Sequence, residues 1–374
     1  MVQANPLWPV TQRFSKLEKD IFVDVAIAGG GMAGISAAYH LQQAGYKVAV
    51  LEADEVGGAA SGASSGVLYY GSGTNFVPAI GLFGAEKARL LWHETATSIE
   101  GIVRTAQSRG IECGLRRTGA VMAAKSEAEV KDLVAERAAL ARAGIKARLL
   151  SADEMKGVFT LRPFLAGLEF GIVSQIRPAQ FAAGLAKAEG LSVYENTPMK
   201  GWEEKSDGVV LQTPKAKVTC SQLVIATNYK PLFGLEKRFA VESSVILASQ
   251  PMPRLADIWP EEKIIWTMEE QYDLIYPEDG RAILELYRMA GEDAKLRLYY
   301  PGVDFRVEQR WGDSWSKTAD WLPIIGKVSP RIAVAVAMGD QGIVMGWTAG
   351  RKIAAALEGK PDAFLEMASP KRFG

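Results

Sequence analysis

The apolar positions of this chain fall into two rhythms. Residues 25–28 and 47–51 are short, nearly unbroken apolar runs of strand length, the kind buried on both faces. The segment between them has helical spacing up to Ala44, and Gly45 stops it. Residues 84–104 put Ala85, Ala88, Leu91, Thr95 and Ile99 close to one helical face. Ser126-x-x-Glu129 and Ser151-x-x-Glu154 read as capping boxes, in which serine and glutamate each satisfy a free backbone N–H. The first opens a helix to about Ala143, the second a shorter one. Pro178 opens a further helix closed by Gly190, and residues 191–195 form a strand. Residues 222–228 are another buried-type run, breaking on small polar residues. From 238 to 310 the spacing turns to alternation rich in aromatics, as in an antiparallel sheet. Residues 332–338 return to an unbroken apolar run. Gly339-Asp-Gln-Gly342 then opens a helix that ends near Glu358, with Gly359 as its cap.

The first strand runs directly into Gly29-x-Gly31-x-x-Gly34, and the second ends on Glu52, 23 residues beyond Gly29. Each part has a mechanical reason. Gly29 allows the tight turn, Gly31 lets the backbone approach a pyrophosphate, and Gly34 lets helix and strand pack closely. The helix N-terminus offers free N–H groups to phosphates, and the acid can accept hydrogen bonds from ribose hydroxyls. Met32 and Ala33 lie in the same turn, and Ala53 follows the acid. A dinucleotide site is the reading. The loop at residues 57–66 contains only Gly, Ala and Ser, so its backbone and hydroxyls can line a flat ligand at close range.

Composition narrows the possibilities. Among 374 residues, 43 are Lys or Arg and 43 are Asp or Glu, so there is no net pull toward nucleic acid or anionic lipid. Two cysteines and two histidines, without close spacing, provide no metal framework. The first twenty residues lack a signal peptide's apolar core, and no apolar run reaches the length of a membrane span. A cytoplasmic setting is expected.

The ordered set of motifs resembles the D-amino-acid oxidase, glycine oxidase and sarcosine oxidase family of FAD-dependent oxidoreductases. Beyond the glycine cradle it includes the 60–66 loop, Arg117-Thr-Gly119, Pro178 with its helix, Ala226-Thr-Asn228, Asp320-x-x-Pro323-x-x-Gly326 and Gly339-x-x-Gly342. The opening of the chain and Phe83-Gly-x-Glu86-Lys-Ala88 look like the subgroup some of whose members carry a Rieske domain. The resemblance implies an α/β fold. A Rossmann-like FAD-binding domain of glutathione-reductase type would be discontinuous over 20–84, 150–230 and 320–374. A substrate domain of α+β type, built on an antiparallel sheet, would be inserted at 85–149 and 231–319, with 1–19 as an N-terminal extension. Noncovalent FAD would be held by Gly29, Gly31, Met32, Ala33, Gly34, Glu52 and Ala53. Ala60, Ser61, Gly62, Ser64, Ser65 and Gly66 would run along its ribityl chain and ring. Met199 would meet the adenine with Ala226, Thr227 and Asn228 on the same side, and Gly339, Asp340, Gln341, Gly342 and Ile343 would lie at the flavin's pyrimidine end.

The implied reaction is oxidation of a C–N bond in a small amine or amino acid, with oxygen or an electron-transfer acceptor taking the electrons. Tyr276, Arg288, Trp315 and Gln341 are the candidates for work on the substrate. Two other readings compete: an NAD(P)-dependent oxidoreductase, and a flavin-bound electron carrier or assembly factor. The sequence departs from the family in two places. Trp315 stands where glycine-oxidase-like members carry the arginine that grips a substrate carboxylate, with Arg281, Arg288 or Lys317 as possible substitutes. Residues 239–249 contain no lysine, where sarcosine-oxidase-like members place one to activate oxygen. Tyr69, Tyr70, Tyr276, Trp311 and Trp315 could make an aromatic cage for an amine.

Overall fold

A computed structural model describes residues 7–229, 235–269, 272–287 and 291–373. Five strands lie side by side and parallel in the order Ser192–Tyr194, Val48–Leu51, Ile21–Ala28, Lys217–Ile225 and Ile332–Val336. By chain position that is order 3-2-1-4-5, so the chain reverses direction beside Ile21–Ala28, where a parallel sheet opens a crevice at its carboxyl ends. Ile324–Lys327 closes one edge antiparallel, and the hairpin of Gly201–Glu204 with Val209–Gln212 attaches to the first half of Lys217–Ile225.

The unbroken apolar runs follow from this burial. Val25 and Ile27 enter one core with the helices, while Ala26 and Ala28 enter a second core on the opposite face. A polar residue at any of these positions would have no water to face. Across the first core, the helices Met32–Gln43 and Gly342–Glu358 cross at very short range. A Cβ placed on Gly350 would lie 2.3 Å from Ser36 Oγ, and Ser36 Oγ donates to Trp347 O at 3.0 Å. Glycine in the second helix is what lets both helices start at the same crevice.

The second sheet has eight strands in the order Val307–Thr318, Phe239–Ser249, Arg281–Leu286, Asp273–Glu278, Ile264–Thr267, Ala120–Ala124, Ala166–Phe170 and Arg148–Ser151. It is antiparallel except where Ile264–Thr267 runs parallel to Ala120–Ala124. Residues 148–170 therefore pair here rather than with the nucleotide sheet, because Arg148–Ser151 and Ala166–Phe170 form a ladder ending on Ala120–Ala124. We propose a boundary for the substrate unit near residue 171 instead of 150. Both capping serines accept from the expected N–H. At Ser151 the box is complete, whereas Glu129 turns back to Lys125 N instead of Ser126 N.

Candidate functional site

A groove of about 340 Å³ follows the carboxyl ends of the parallel strands. Its floor is the turn at Gly29 and Gly31. Gly29 has φ +108°, and a Cβ there would lie 2.5 Å from Ala226 O. At Gly34 a Cβ would fall 1.8 Å from Gly29 O, so only glycine lets the helix start this close to the strand. Met32 N, in the first turn of that helix, donates to Ser61 Oγ at 3.0 Å, tying the small-residue loop to the cradle. Glu52 accepts from Gly30 N (2.6 Å) and Asp54 N (2.9 Å), which fixes its carboxylate at the second strand's end.

Most of the expected cofactor residues line this one groove: Gly29, Gly31, Met32, Ala33, Glu52, Ala53, Ala60, Ser61, Ser64, Met199, Ala226, Thr227, Asn228, Gly339, Asp340, Gly342 and Ile343. Two others lie behind it as packing: Gly34 sits under the turn and Gly62 sits against Gly57 O. Ser65 and Gly66 line the cavity beyond the groove's end, Gly66 with φ +74° and close to Ile176 O. Lys200, Trp202 and Tyr229 also line the groove and were not expected. Two residues at strand ends, Asn228 (φ 58°) and Ala337 (φ 57°), hold left-handed backbone beside it. Ser316 Oγ donates to Asn228 Oδ1 at 2.8 Å, and Gly339 N donates to Ser316 O at 3.0 Å, binding the two nucleotide segments to the second sheet.

Beyond the end of the groove lies an inner cavity that shares Ser64, Asp313, Asp340 and Ile343 with it and has about 20 Å³ of free space. Half of its wall residues are carboxylates and aromatic rings, Asp340, Glu285 and Asp313 with Tyr69, Tyr272, Tyr287 and Trp315, and the rest are small, apolar or amide side chains. No lysine or arginine is among its described wall residues. The hydroxyls of Tyr69 and Tyr272 share one hydrogen bond, and both lie within reach of Asp340 Oδ2, at 3.4 and 3.0 Å, so that one of the two donates to it. Asp340 Oδ1 has no partner among the described residues.

Far from bulk water, these groups avoid charge. Burial, reinforced by the negative Glu285, pushes the Asp313 carboxyl up to about 8. Burial raises Glu285 against the opposing hydrogen bonds of Ser244 (2.9 Å) and Ser65. It raises Asp340 against the two tyrosine hydroxyls, and lifts Tyr69 and Tyr272 well above the usual phenol range. Three coupled acids without a base form a site that a bound cation would stabilise.

The four candidates for work on the substrate come out differently. Trp315 lines the inner cavity, with its ring 5.4 Å from that of Tyr287. Gln341 lines it too, but its amide is committed to the neighbouring loop, donating to Gly71 O (2.8 Å) and Tyr69 O (3.2 Å). Tyr276 is not a wall residue: it is fully buried and donates to Ser65 O at 3.2 Å. Trp311 likewise donates to Ala63 O at 2.9 Å, so these two support the small-residue loop from beneath. Arg288 lies outside the described residues. Of the other cations proposed for a carboxylate, Arg281 pairs with Glu308 at 2.8 Å, and Lys317 Nζ sits 3.9 Å over the Trp321 ring; neither is a wall residue. Tyr272, Glu285, Tyr287 and Asp313 were missed. For Asp313 the signal is alternation, since 313 and 315 share one face of Val307–Thr318; Glu285 is in Arg281–Leu286, and Tyr272 and Tyr287 lie just outside the ends of their strands.

Comparison with known proteins gives the site its context. The family described as DAO, FAD dependent oxidoreductase, matches residues 24–356. A probable oxidoreductase OrdL of Haemophilus influenzae is 24% identical over 93% of this chain and 85% of its own length. The gamma-glutamylputrescine oxidoreductase of Escherichia coli is 25% identical over 94% of this chain and 87% of its own. The crystal structure of glycine oxidase from Geobacillus kaustophilus superposes with a TM-score of 0.76 at 21% identity, covering 93% of this chain and 98% of that one. The groove fits the cofactor of that family. Two glycines whose side chains would collide with backbone let the main chain meet a pyrophosphate, one acid stands at ribose distance in sequence, and a second glycine-led helix begins at the far end. This chain belongs to the DAO family of FAD-dependent oxidoreductases.

Proposed function

We propose that this protein oxidises a C–N bond in a cationic amine of little or no carboxylate character. One observation carries the reading: the inner cavity is walled by Asp340, Glu285, Asp313 and aromatic rings, and Trp315 stands where an arginine clamp is expected. The names of the relatives include gamma-glutamylputrescine and glycine; the cavity's charge favours the plain amine end of the first over an amine with a carboxylate beside it.

When bound, FAD accepts the hydride equivalent at N5, so the chain needs no nucleophile of its own. Its residues bind, orient and deprotonate. Asp340 Oδ1 accepts from the ammonium while the faces of Trp315 and Tyr287 hold the cation. The nitrogen must lose its proton before its lone pair can support an emerging C=N bond. Asp313, raised to about 8 in the empty cavity and ionised when the cation binds beside it, is suited to take that proton. The amine loses two electrons and two protons in total, and water then hydrolyses the imine to a carbonyl compound and the smaller amine. The two electrons would pass on to oxygen or an electron-transfer acceptor. The N-terminus of Gly342–Glu358 lies at the groove's end, where its N–H groups would favour negative charge on a bound cofactor. FAD is held without a covalent tether: Cys113 and Cys220 are buried and neither lines the groove. Denaturing precipitation should therefore release all the yellow colour into solution.

Asp340→Asn keeps shape and removes the carboxyl that a bound ammonium would ionise. Losing a charged hydrogen bond should lower kcat/KM for amines about 10- to 100-fold, chiefly through KM. Steady-state kinetics that leave KM unchanged in this variant would remove Asp340 from substrate binding.

A further inference from the structure

A second cavity, of about 600 Å³, adjoins the inner one, and the two share Tyr69, Tyr272 and Gln341 as a common wall. Its character differs. Phe170 and Trp266 stack at 5.3 Å in one wall, and Trp92, Trp321, Met122 and Met268 make up much of the rest. Two carboxylates reach it, and both are already committed. Glu136 accepts from Phe76 N (2.5 Å) and Val77 N (2.9 Å), and Glu269 pairs with Lys125. The helix Phe76–Phe83 contributes Pro78, Gly81 and Leu82 to the wall, and it contains no polar side chain, although Leu82 is 56% exposed. An exposed apolar edge leading into an aromatic cavity points to a ligand that arrives with apolar surface to bury.

We infer that this outer cavity is the subsite for the distal part of the substrate, and that this part is uncharged and apolar, an alkyl chain or an aryl group. The inference rests on the amine reading for the identity of the reacting end. The carboxyl oxygen without a partner, Asp340 Oδ1, belongs to a wall residue of the inner cavity, whereas both outer carboxylates are committed. The ammonium is thus drawn toward Asp340 and the Tyr69–Tyr272 pair, while the tail stays among Trp266, Phe170 and Met268. With about 20 Å³ free inside, the tail has no room there, and a substrate longer than its reacting carbon depends on the outer space.

The test uses primary alkylammonium ions and FAD-loaded protein kept reduced in the absence of oxygen, which cannot oxidise an amine. Calorimetric titration from methylammonium to the hexyl and phenylpropyl members should show the dissociation constant falling about fourfold per added methylene. Met268→Trp, which fills the cavity, and Leu82→Glu, which charges its mouth, should each flatten that dependence at least tenfold at the hexyl member. Affinity independent of tail length, or a length dependence unchanged in both variants, overturns the assignment. So does tighter binding of tails ending in a second ammonium or a carboxylate. If length dependence is seen but no amine ever reduces the flavin, the oxidation reading fails and the subsite stands. Oxidation of short and long amines alike, without length dependence, has the opposite meaning.

Discussion

Asp313 holds its proton to about pH 8 in the folded chain, whereas a free aspartate loses it near pH 4. Between those values the native state carries the extra proton, so stability falls as pH rises through that window and levels off above it. This is the reverse of an ion-paired carboxylate. Denaturant titrations of the FAD-loaded protein from pH 4 to 9 should show the decline, and Asp313→Asn should make the profile flatter. Amine binding should strengthen over the same window, because the cation favours the ionised acid. A profile identical in protein and variant would show that Asp313 is not the group responsible. At this scale the sequence was partly legible. Trp315 announced itself by replacing a family arginine, but Glu285 and Asp313 read as ordinary polar positions in alternating strands. What makes them unusual is the cavity that they face, and only the fold creates it.

The helices were the most legible elements, since their caps, stops and faces are local. Pro178–Ala188 begins on its proline and Gly342–Glu358 ends under Gly359 in left-handed conformation. The strand ladder was less so. No local pattern announces that Ile264–Thr267 pairs with Ala120–Ala124, more than a hundred residues earlier, or that residues 148–170 extend that sheet. Long-range pairing depends on which faces meet. The crossing of Met32–Gln43 with Gly342–Glu358 offers a graded test. A Cβ on Gly350 would meet Ser36 Oγ at 2.3 Å and Ala37 N at 2.4 Å, while one on Gly346 would meet Ala33 N at 3.0 Å. Gly350→Ala should cost about 1–3 kcal/mol in stability and weaken FAD binding, with Gly346→Ala milder on both measures. Thermal melts and FAD titrations that rank the two the other way would show that the crossing is looser than described.

Across the whole molecule, three stretches of chain far apart in sequence meet along one groove, and the second sheet covers the groove's far end with acids and rings. Among the described residues no helix is long and apolar enough to cross a membrane. Because FAD would touch all three stretches, its binding should stabilise the fold as a unit, raising the melting temperature with FAD concentration. The central claim, that this covering sheet selects an amine cation and not a carboxylate, is tested most directly by flavin reduction without oxygen. FAD-loaded protein is mixed anaerobically with matched pairs, an amine and the same amine bearing an α-carboxylate, and the yellow flavin band is followed in time. The account predicts that the plain amine bleaches the band at least tenfold faster than its partner. Bleaching by the carboxylated partners alone, or by no member of any pair, would contradict it.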